Sequence, residues 1–190
     1  SRILARKNKK VFMYKKRVLL FIILLVVACA VKAEAQKKDS CIECHKSLEG
    51  KAKEAADKIM QDIHFKRGLS CSDCHGGDPA EEDMSEAMDP ATGFIGTPKR
   101  SDIPNFCGKC HADPVYMRKF NPNIAMDQLE KYSKSQHGQL TAQGDQKAAV
   151  CTSCHDVHEI KQKTDPSAST FITNIPKRCA SCHADKEYMK

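Results

Sequence analysis

The chain has 190 residues, of which 41% are apolar, 6% are aromatic and none is tryptophan. Its formal net charge is +7, but nine of the 31 Lys and Arg residues lie in residues 1–35, beside a single acidic residue. Residues 36–190 therefore carry 22 basic and 23 acidic side chains, a balance that gives no indication of a nucleic-acid partner. Large apolar side chains are scarce in that part of the chain, which predicts a core that side chains alone do not fill.

Residues 13–35 have the pattern of a bacterial export signal. A short basic stretch precedes an apolar run of 14 residues at 18–31, and a small-x-small string ends at Ala35, before the expected cut at Gln36. The run is shorter than the roughly 18 residues of a membrane-spanning helix, so we expect cleavage rather than an uncleaved anchor.

The leader also bears on location. We expect an exported, periplasmic protein, and attachment to the membrane through an uncleaved signal or a lipidated Cys29 stays open as an alternative. Residues 1–12, which precede the first Met, are predicted to be an upstream extension outside the native structure.

Ten of the 11 cysteines belong to five copies of the string C-x-x-C-H. This is the signal for covalent attachment of c-type haem, because two thiols three positions apart reach the two vinyl groups of one porphyrin edge, and the next residue offers an imidazole to the iron. The predicted haem-attachment residues are Cys41, Cys44, Cys71, Cys74, Cys107, Cys110, Cys151, Cys154, Cys179 and Cys182. The predicted proximal iron ligands are His45, His75, His111, His155 and His183.

A single C-x-x-C is equally compatible with zinc, a redox dithiol or a disulfide. With 8 histidines in 190 residues, His follows such a pair by chance about 4% of the time. Five successive occurrences have a chance of roughly 10⁻⁷, so the repeated spacing predicts five covalently bound c-type haems.

Five haems would supply the apolar core that the side chains do not provide. The mature chain offers about 31 residues for each large apolar plate, so we expect a mainly α fold with much irregular coil, wrapped around the haems with little or no sheet. Each haem brings two propionates, which makes the loaded protein more acidic than its sequence.

An internal repeat organises the domain that we assign to residues 36–190. Residues 103–117 match residues 175–189 at an offset of 72, and each copy follows another C-x-x-C-H and, before that, a lone histidine. The domain thus divides into a first-haem region at 36–63 and two repeat modules at 64–120 and 121–190.

Three histidines lie outside the motifs and are candidates for distal iron ligands: His64, His137 and His158. Apolar periodicity predicts that His64 follows a helix over 48–63 and that His137 follows one over 124–136, capped by Asn121 or Asn123. His158 is only three residues from proximal His155, so we expect it to serve a neighbouring haem.

Three spare histidines leave two irons without a sixth ligand. Met117 and Met189, which recur in the repeat, are candidates, although packing is the more common role of such residues. Five-coordinate iron, or a further His-bearing segment after Lys190, stays open as well.

The motifs, together with the strings at 135–138 and 154–158, resemble bacterial multihaem c-type cytochromes. Among these are the small tetrahaem cytochromes of sulfate reducers and families with doubled C-x-x-C-H motifs. The resemblance covers the chain from Cys41 onwards and implies mostly bis-histidine haems that act together as an electron wire in the periplasm. Membrane-anchored quinol dehydrogenases of the NapC/NirT type are also similar, but they normally have a clear spanning helix and four haems.

The leading hypothesis is an electron carrier of a respiratory chain, in anaerobic respiration, rather than an enzyme. Its expected partners are other redox proteins, such as cytochromes, reductases or quinol dehydrogenases, with membrane association through the N-terminus left open. The alternatives are a multihaem reductase of small nitrogen or sulfur oxyanions, and a quinol-oxidising membrane subunit. No clustered acid and base residues indicate a catalytic site.

Overall fold

The structure is a computed structural model, and it describes residues 39–190. These residues fall within one compact unit. The predictions for the leader, including the boundaries at 1–12 and 13–35 and the roles of Cys29 and Gln36, lie outside the described residues.

Short helices joined by coil make up the described part of the chain, and about half of its residues are helical. In chain order the α-helices are α1 Ser40–Lys46, α2 Gly50–Lys58, α3 Ile63–Lys66, α4 Cys71–His75, α5 Met84–Ala87, α6 Ile103–His111, α7 Pro114–Met117, α8 Gln128–Lys134, α9 Gln136–Ala142, α10 Cys151–His155 and α11 Ile175–His183. Single 3₁₀ turns lie at Ile59–Gln61, Pro90–Thr92 and Arg100–Asp102. No strand occurs between residues 39 and 190, which confirms the predicted mainly α fold.

Every C-x-x-C-H string lies on an α-helix, and four of these helices end at the histidine. On a helix, residues three and four apart share one face. The two thiols and the imidazole of each motif therefore project from the same side of their helix, as one porphyrin edge and its iron require.

The repeated segments fold alike. Helices α6 and α11 each have nine residues and begin with Ile-Pro, and α4 and α10 each have five. After α6, the carboxylate of Asp113 accepts from the N–H of Val115 at 2.8 Å; after α11, Asp185 accepts from the N–H of Glu187 at 2.9 Å. The same local sequence thus builds the same helix and the same following turn twice.

Few apolar side chains are buried in the described residues, and most of them are small. The buried ones are Ile42, Ala56, Ile59, Met117, Ala148, Val150 and Ala168. Large apolar side chains such as Val115 and Ile172 are 74% exposed. The protein part thus leaves apolar surface for large apolar groups to cover.

Both predicted helices form, but over shorter ranges: the first covers Gly50–Lys58 with a 3₁₀ turn at Ile59–Gln61, and the second covers Gln128–Lys134. Helix α2 ends at Lys58, and Asp62 caps the separate helix α3, with its carboxylate accepting from the N–H of His64. Likewise α8 ends at Lys134, and the Ser135 hydroxyl accepts from the N–H of Gly138 at 3.1 Å to start α9. Apolar periodicity continues across both breaks, but a capping side chain restarts the helix at each.

Two details of the second region also differ from the prediction. His137 follows helix α8, as predicted, but it lies inside a further helix, α9. The Asn121 side chain accepts from the N–H of Asn123 at 3.0 Å in a turn, and the N-cap residue of α8 is Asp127. Among residues 39–190, no helix is both long and apolar enough to cross a membrane.

Candidate haem-binding sites

The three histidines outside the motifs each lie against a motif histidine. The ring centroids are 5.8 Å apart for His64 and His111, and 5.9 Å apart for His137 and His183. For His75 and His158 the separation is 6.1 Å. The tertiary fold therefore sorts six of the eight histidines into three pairs.

These separations fit an iron between two imidazoles. Two rings that bind one metal ion from opposite faces, through bonds of about 2 Å, have centroids about 6 Å apart. Each pair also combines one motif histidine, whose helix carries two free thiols, with one histidine from elsewhere in the chain. A c-type haem needs two thiols to bond its vinyl groups and takes imidazoles as proximal and distal ligands of its iron, so the residues fit this group.

Hydrogen bonds orient two of the paired rings. Nδ1 of His75 lies 2.8 Å from the carbonyl oxygen of Gly96, and Nδ1 of His64 lies 2.8 Å from Oδ1 of Asp62. Both partners are acceptors, so Nδ1 carries the proton and Nε2 is left as the metal-binding nitrogen. A hydrogen bond of this kind fixes the tautomer and the ring direction of an iron ligand.

Electrostatics favour the neutral, metal-binding form of two of the paired rings, those of His111 and His158. Burial lowers the pKa of His111, and the neighbouring His64 and His155 lower it further. Burial and His75 likewise lower the pKa of His158. Imidazole binds metal only without its second proton, so these shifts keep the ligand available.

Asp62 remains ionised in this environment. Burial by itself raises the pKa of Asp62, but hydrogen bonds from His64 and from the N–H of Ile160 outweigh it, and the net shift is downward. A carboxylate that accepts several hydrogen bonds is stabilised in its charged form.

The motifs lie next to one another in space in the order in which they occur along the chain. Thiols of neighbouring motifs are close enough to shift each other's pKa. Burial, Asp39 and then Cys71 raise the pKa of Cys41, which reaches about 12. Burial and Cys110 raise the pKa of Cys74 to about 11. Motif 1 is therefore beside motif 2, and motif 2 is beside motif 3.

The second half of the chain continues this order. Interaction with the Cys151 thiol raises the pKa of Cys107, and interaction with the Cys107 thiol lowers the pKa of Cys151 to about 7. Burial, and after it the nearby Cys179, raise the pKa of Cys154. Motif 4 thus bridges motifs 3 and 5, and the five motifs form one series.

Two motif histidines have no imidazole opposite them. Among the described residues, neither His45 nor His155 has another histidine ring at pairing distance. Burial and the nearby Arg178 lower the pKa of His155. Of the two repeated methionines, Met117 is buried and Met189 is 53% exposed, so the repeat does not give them equivalent surroundings.

Several residues of these sites do not follow from motif reading. Asp62 and the carbonyl of Gly96 hold Nδ1 of a paired histidine, and Arg178 donates to the carbonyl oxygen of Cys154 at 3.4 Å and forms an ion pair with Asp156. The string Asp62-Ile63-His64, an N-cap two residues before a spare histidine, was a readable signal for the first. Gly96 acts through its backbone carbonyl oxygen, so the residue type at this position does not predict the contact with His75.

Comparison with known proteins gives one family model that matches part of the chain. Residues 137–188 match the family model of the doubled CXXCH motif, a span that contains His137 and motifs 4 and 5. No curated protein and no solved structure matches the chain. The match supports a protein similar to multihaem c-type cytochromes, and the CXXCH motifs indicate covalently bound c-type haem.

Proposed function

We propose that this chain is a periplasmic c-type cytochrome that transfers electrons between redox partners of a respiratory chain through five covalently bound haems. The observation that carries the proposal is the spatial series of the motifs, each tied to the next by side-chain contacts. An electron that enters at one end of such a series has a neighbouring site at every step.

The contact between motifs 1 and 2 runs through their helix caps. Asp39 caps α1, with its carboxylate accepting from the N–H of Ile42 at 3.3 Å, and it also accepts from the hydroxyl of Ser70, the residue that caps α4. The backbone N–H of Ser40 donates to the carbonyl oxygen of Pro79 at 3.0 Å. These bonds hold the first two attachment helices together.

Motifs 2 and 3 meet through side-chain rings. The rings of His75 and Phe106 are 5.7 Å apart, and Phe106 lies on α6 directly before Cys107. The carbonyl oxygen of His75 also accepts from the N–H of Ile95 at 2.9 Å, in the loop that leads to α6.

Two arginines connect the remaining motifs. Arg100, just before α6, donates to the carbonyl oxygen of Ala148 at 2.8 Å and to the hydroxyl of Ser153 at 3.3 Å, inside motif 4. Arg178, directly before Cys179, reaches the carbonyl of Cys154 and the carboxylate of Asp156. Each arginine binds across the boundary between consecutive haem sites.

We assign the distal ligands from the ring pairs. His158 serves the iron of motif 2, His64 that of motif 3 and His137 that of motif 5. When bound, the haems supply the Fe(III)/Fe(II) couple. The chain anchors each porphyrin edge through its two cysteines, orients the axial imidazoles and tunes the potential through burial and nearby charge.

The test of this proposal is a count of haems and of their spin states. Mass spectrometry of the purified protein should give five covalent haem additions, and electron paramagnetic resonance of the oxidised form should contain at least three low-spin signals. In three separate variants, His64, His137 or His158 is replaced by Ala. Each variant should convert one low-spin haem to a high-spin or altered form. Gln136→Ala, next to His137 on α9, is the matched control and should leave the spectrum unchanged.

The expected location and partners have a separate test. Fractionation of cells with mass spectrometry of the N-terminus distinguishes a start at Gln36 from an uncleaved anchor or a lipidated Cys29. A periplasmic protein that starts at Gln36 and exchanges electrons with a cytochrome, reductase or quinol dehydrogenase supports the proposal. A fully cytoplasmic protein without haem contradicts it.

The unpaired histidines support a second candidate function, reduction of a small oxyanion at an open iron. His45 and His155 lack an opposed histidine in residues 39–190, and Arg178 is a cation close to the motif 4 site. A high-spin haem that binds nitrite or cyanide at micromolar concentration favours this candidate. A spectrum with low-spin signals alone, unchanged by either anion, favours the carrier.

A further inference from the structure

Asp62 has an unusual combination of burial and contacts. Its side chain is almost fully buried, with 2% of its surface exposed. Oδ1 accepts from the backbone N–H of His64 at 2.8 Å and lies 2.8 Å from Nδ1 of the same histidine. Oδ2 accepts from the N–H of Ile160 at 2.7 Å, across 98 positions of sequence. One carboxylate thus serves a helix start, a histidine ring and a remote backbone group.

Helix capping alone does not account for this burial. Asp83 caps α5, a four-residue helix like α3, through the same bond to the second N–H of the helix at 2.8 Å. Asp83 is exposed, and its other contact is the hydroxyl of Ser85. Removal of a carboxylate from water is unfavourable unless hydrogen bonds compensate, so the buried position of Asp62 calls for a role that Asp83 lacks.

The contact with Nδ1 gives Asp62 a direct effect on His64. It holds the proton on Nδ1, leaves Nε2 for the metal and fixes the ring that faces His111. A carboxylate hydrogen-bonded in this way makes an imidazole more basic and a stronger electron donor to the metal. A stronger donor and a nearby negative charge both stabilise Fe(III) over Fe(II) and lower the reduction potential.

The contact with Ile160 extends the effect to a second haem site. Ile63 N–H donates to the carbonyl oxygen of Ile160 at 2.8 Å, so two hydrogen bonds join α3 to the segment that follows His158. His158 itself has a positive φ of 60°, a backbone conformation that a non-glycine residue keeps only when its surroundings hold it. This segment presents the His158 ring to His75.

From these contacts we propose that Asp62 is a positioning residue for two distal iron ligands, His64 at motif 3 and His158 at motif 2. Its charge lowers the potential of the motif 3 haem, and its bond to Ile160 maintains the ligand geometry at motif 2. This inference rests on the proposed function, since it requires haems at both motifs.

The decisive variant is Asp62→Asn, with Asp83→Asn as the matched control. The amide removes the charge, and its NH₂ group cannot accept from the Ile160 N–H while its oxygen serves His64. His64→Ala first identifies the low-spin resonance signal of the motif 3 haem as the one it abolishes. In Asp62→Asn that signal should shift, and one component of a redox titration should move to a more positive potential. Asp83→Asn should give the signals and potentials of the wild type.

The outcomes separate this inference from the proposed function. A wild-type protein without covalent haem contradicts the proposed function itself. A five-haem wild type in which Asp62→Asn leaves both the signal and the potentials unchanged overturns the positioning role alone. If Asp62→Asn does not accumulate with haem, Asp62→Glu is measured instead. Its longer side chain keeps the charge but displaces the contact, so the His64-dependent signal should shift with a smaller change in potential, and an unchanged signal overturns the inference.

Discussion

At the scale of single residues, the position directly after α4 and α10 has an unusual backbone. Gly76 has φ 71° and ψ −163°, and Asp156 has φ 64° and ψ −170°. Glycine adopts this region freely, whereas other residues lose about 1–3 kcal/mol there. Asp156 is held in it next to Arg178, which binds both its carboxylate and the motif 4 backbone. The chain thus needs the same sharp exit after both attachment helices.

Gly76→Ala should be strongly destabilising. The added Cβ would overlap the carbonyl oxygen of Gly93, a backbone atom that cannot rotate away, and the positive φ adds strain. We expect a loss of at least about 3 kcal/mol in the free energy of unfolding, measured by denaturant titration of the haem-loaded protein with circular dichroism.

Gly50→Ala is the control for this substitution. Gly50 has a similar φ of 68°, but a Cβ there meets nothing within 4 Å. It should lose only about 1 kcal/mol, the strain of a left-handed backbone without a collision. Equal losses in the two variants would contradict the steric explanation.

At the scale of elements, helices α8 and α9 cross closely at Gly138. This glycine has an ordinary negative φ, so its role is the close approach: a Cβ would overlap the carbonyl oxygen of Tyr132 and lie 2.8 Å from its carbonyl carbon. The Tyr132 hydroxyl also lies 2.9 Å from Oγ1 of Thr141 and donates to the carbonyl oxygen of Ala149 at 3.0 Å. These contacts fix α9, and with it His137, relative to the segment before motif 4.

Gly138→Ala should therefore act on the proposed motif 5 haem through the position of His137. The helix must move away from Tyr132, which displaces His137 from His183, and one low-spin resonance signal should weaken or shift as in His137→Ala. Gly144→Ala, at a position open within 4 Å, should keep the wild-type spectrum. A Gly138→Ala spectrum identical to wild type would indicate that the helix pair tolerates the added methyl group.

The elements also differ in how far the sequence predicts them. Each attachment helix follows from local chemistry, since the thiol and imidazole spacing and caps such as Ser70 lie within a few residues. The helix breaks at Asp62 and Ser135 depend on side-chain capping, which the pattern of apolar residues does not predict. The matching of His64 with His111 depends on long-range packing, because it involves contacts such as that of Asp62 with Ile160 across 98 positions. Sequence alone therefore yields the spare histidines and leaves their partners open.

At the scale of the whole molecule, charge divides the sequence into a basic part at residues 1–35 and a nearly balanced part at residues 36–190. The sequence has an isoelectric point near 8.8, but its basic excess lies in residues 1–35. Residues 36–190 hold 22 basic and 23 acidic side chains, and bound haems add propionates. We therefore expect the haem-loaded chain from Gln36 onwards to carry a net negative charge, which would favour association of the proposed carrier with a basic partner at low ionic strength.

Isoelectric focusing tests this expectation. The haem-loaded protein that starts at Gln36 should focus well below pH 8.8, and below the same chain produced without haem. The haem-free chain is the control, because the difference between the two isolates the propionates. A loaded protein with this start that focuses above neutral pH would contradict the expected acidic balance.

The series of haem sites makes a prediction about electron flow through the entire molecule. Motif 3 is central, with Cys74 of motif 2 and Cys151 of motif 4 as its neighbours. Loss of the motif 3 haem, by Cys107→Ala with Cys110→Ala, should interrupt transfer between the two ends. Loss of the motif 5 haem, by Cys179→Ala with Cys182→Ala, also removes one haem but leaves four neighbouring sites in series.

Flash reduction with one electron per molecule distinguishes the two variants. Wild type and the motif 5 variant should redistribute the electron in a fast phase that does not depend on protein concentration. The motif 3 variant should add a slow phase whose rate rises with concentration, because electrons then cross between the ends only by collision of two molecules. A motif 3 variant that equilibrates as fast as the motif 5 variant would mean that sites 2 and 4 exchange electrons directly, and the linear order would have to be replaced by a branched one.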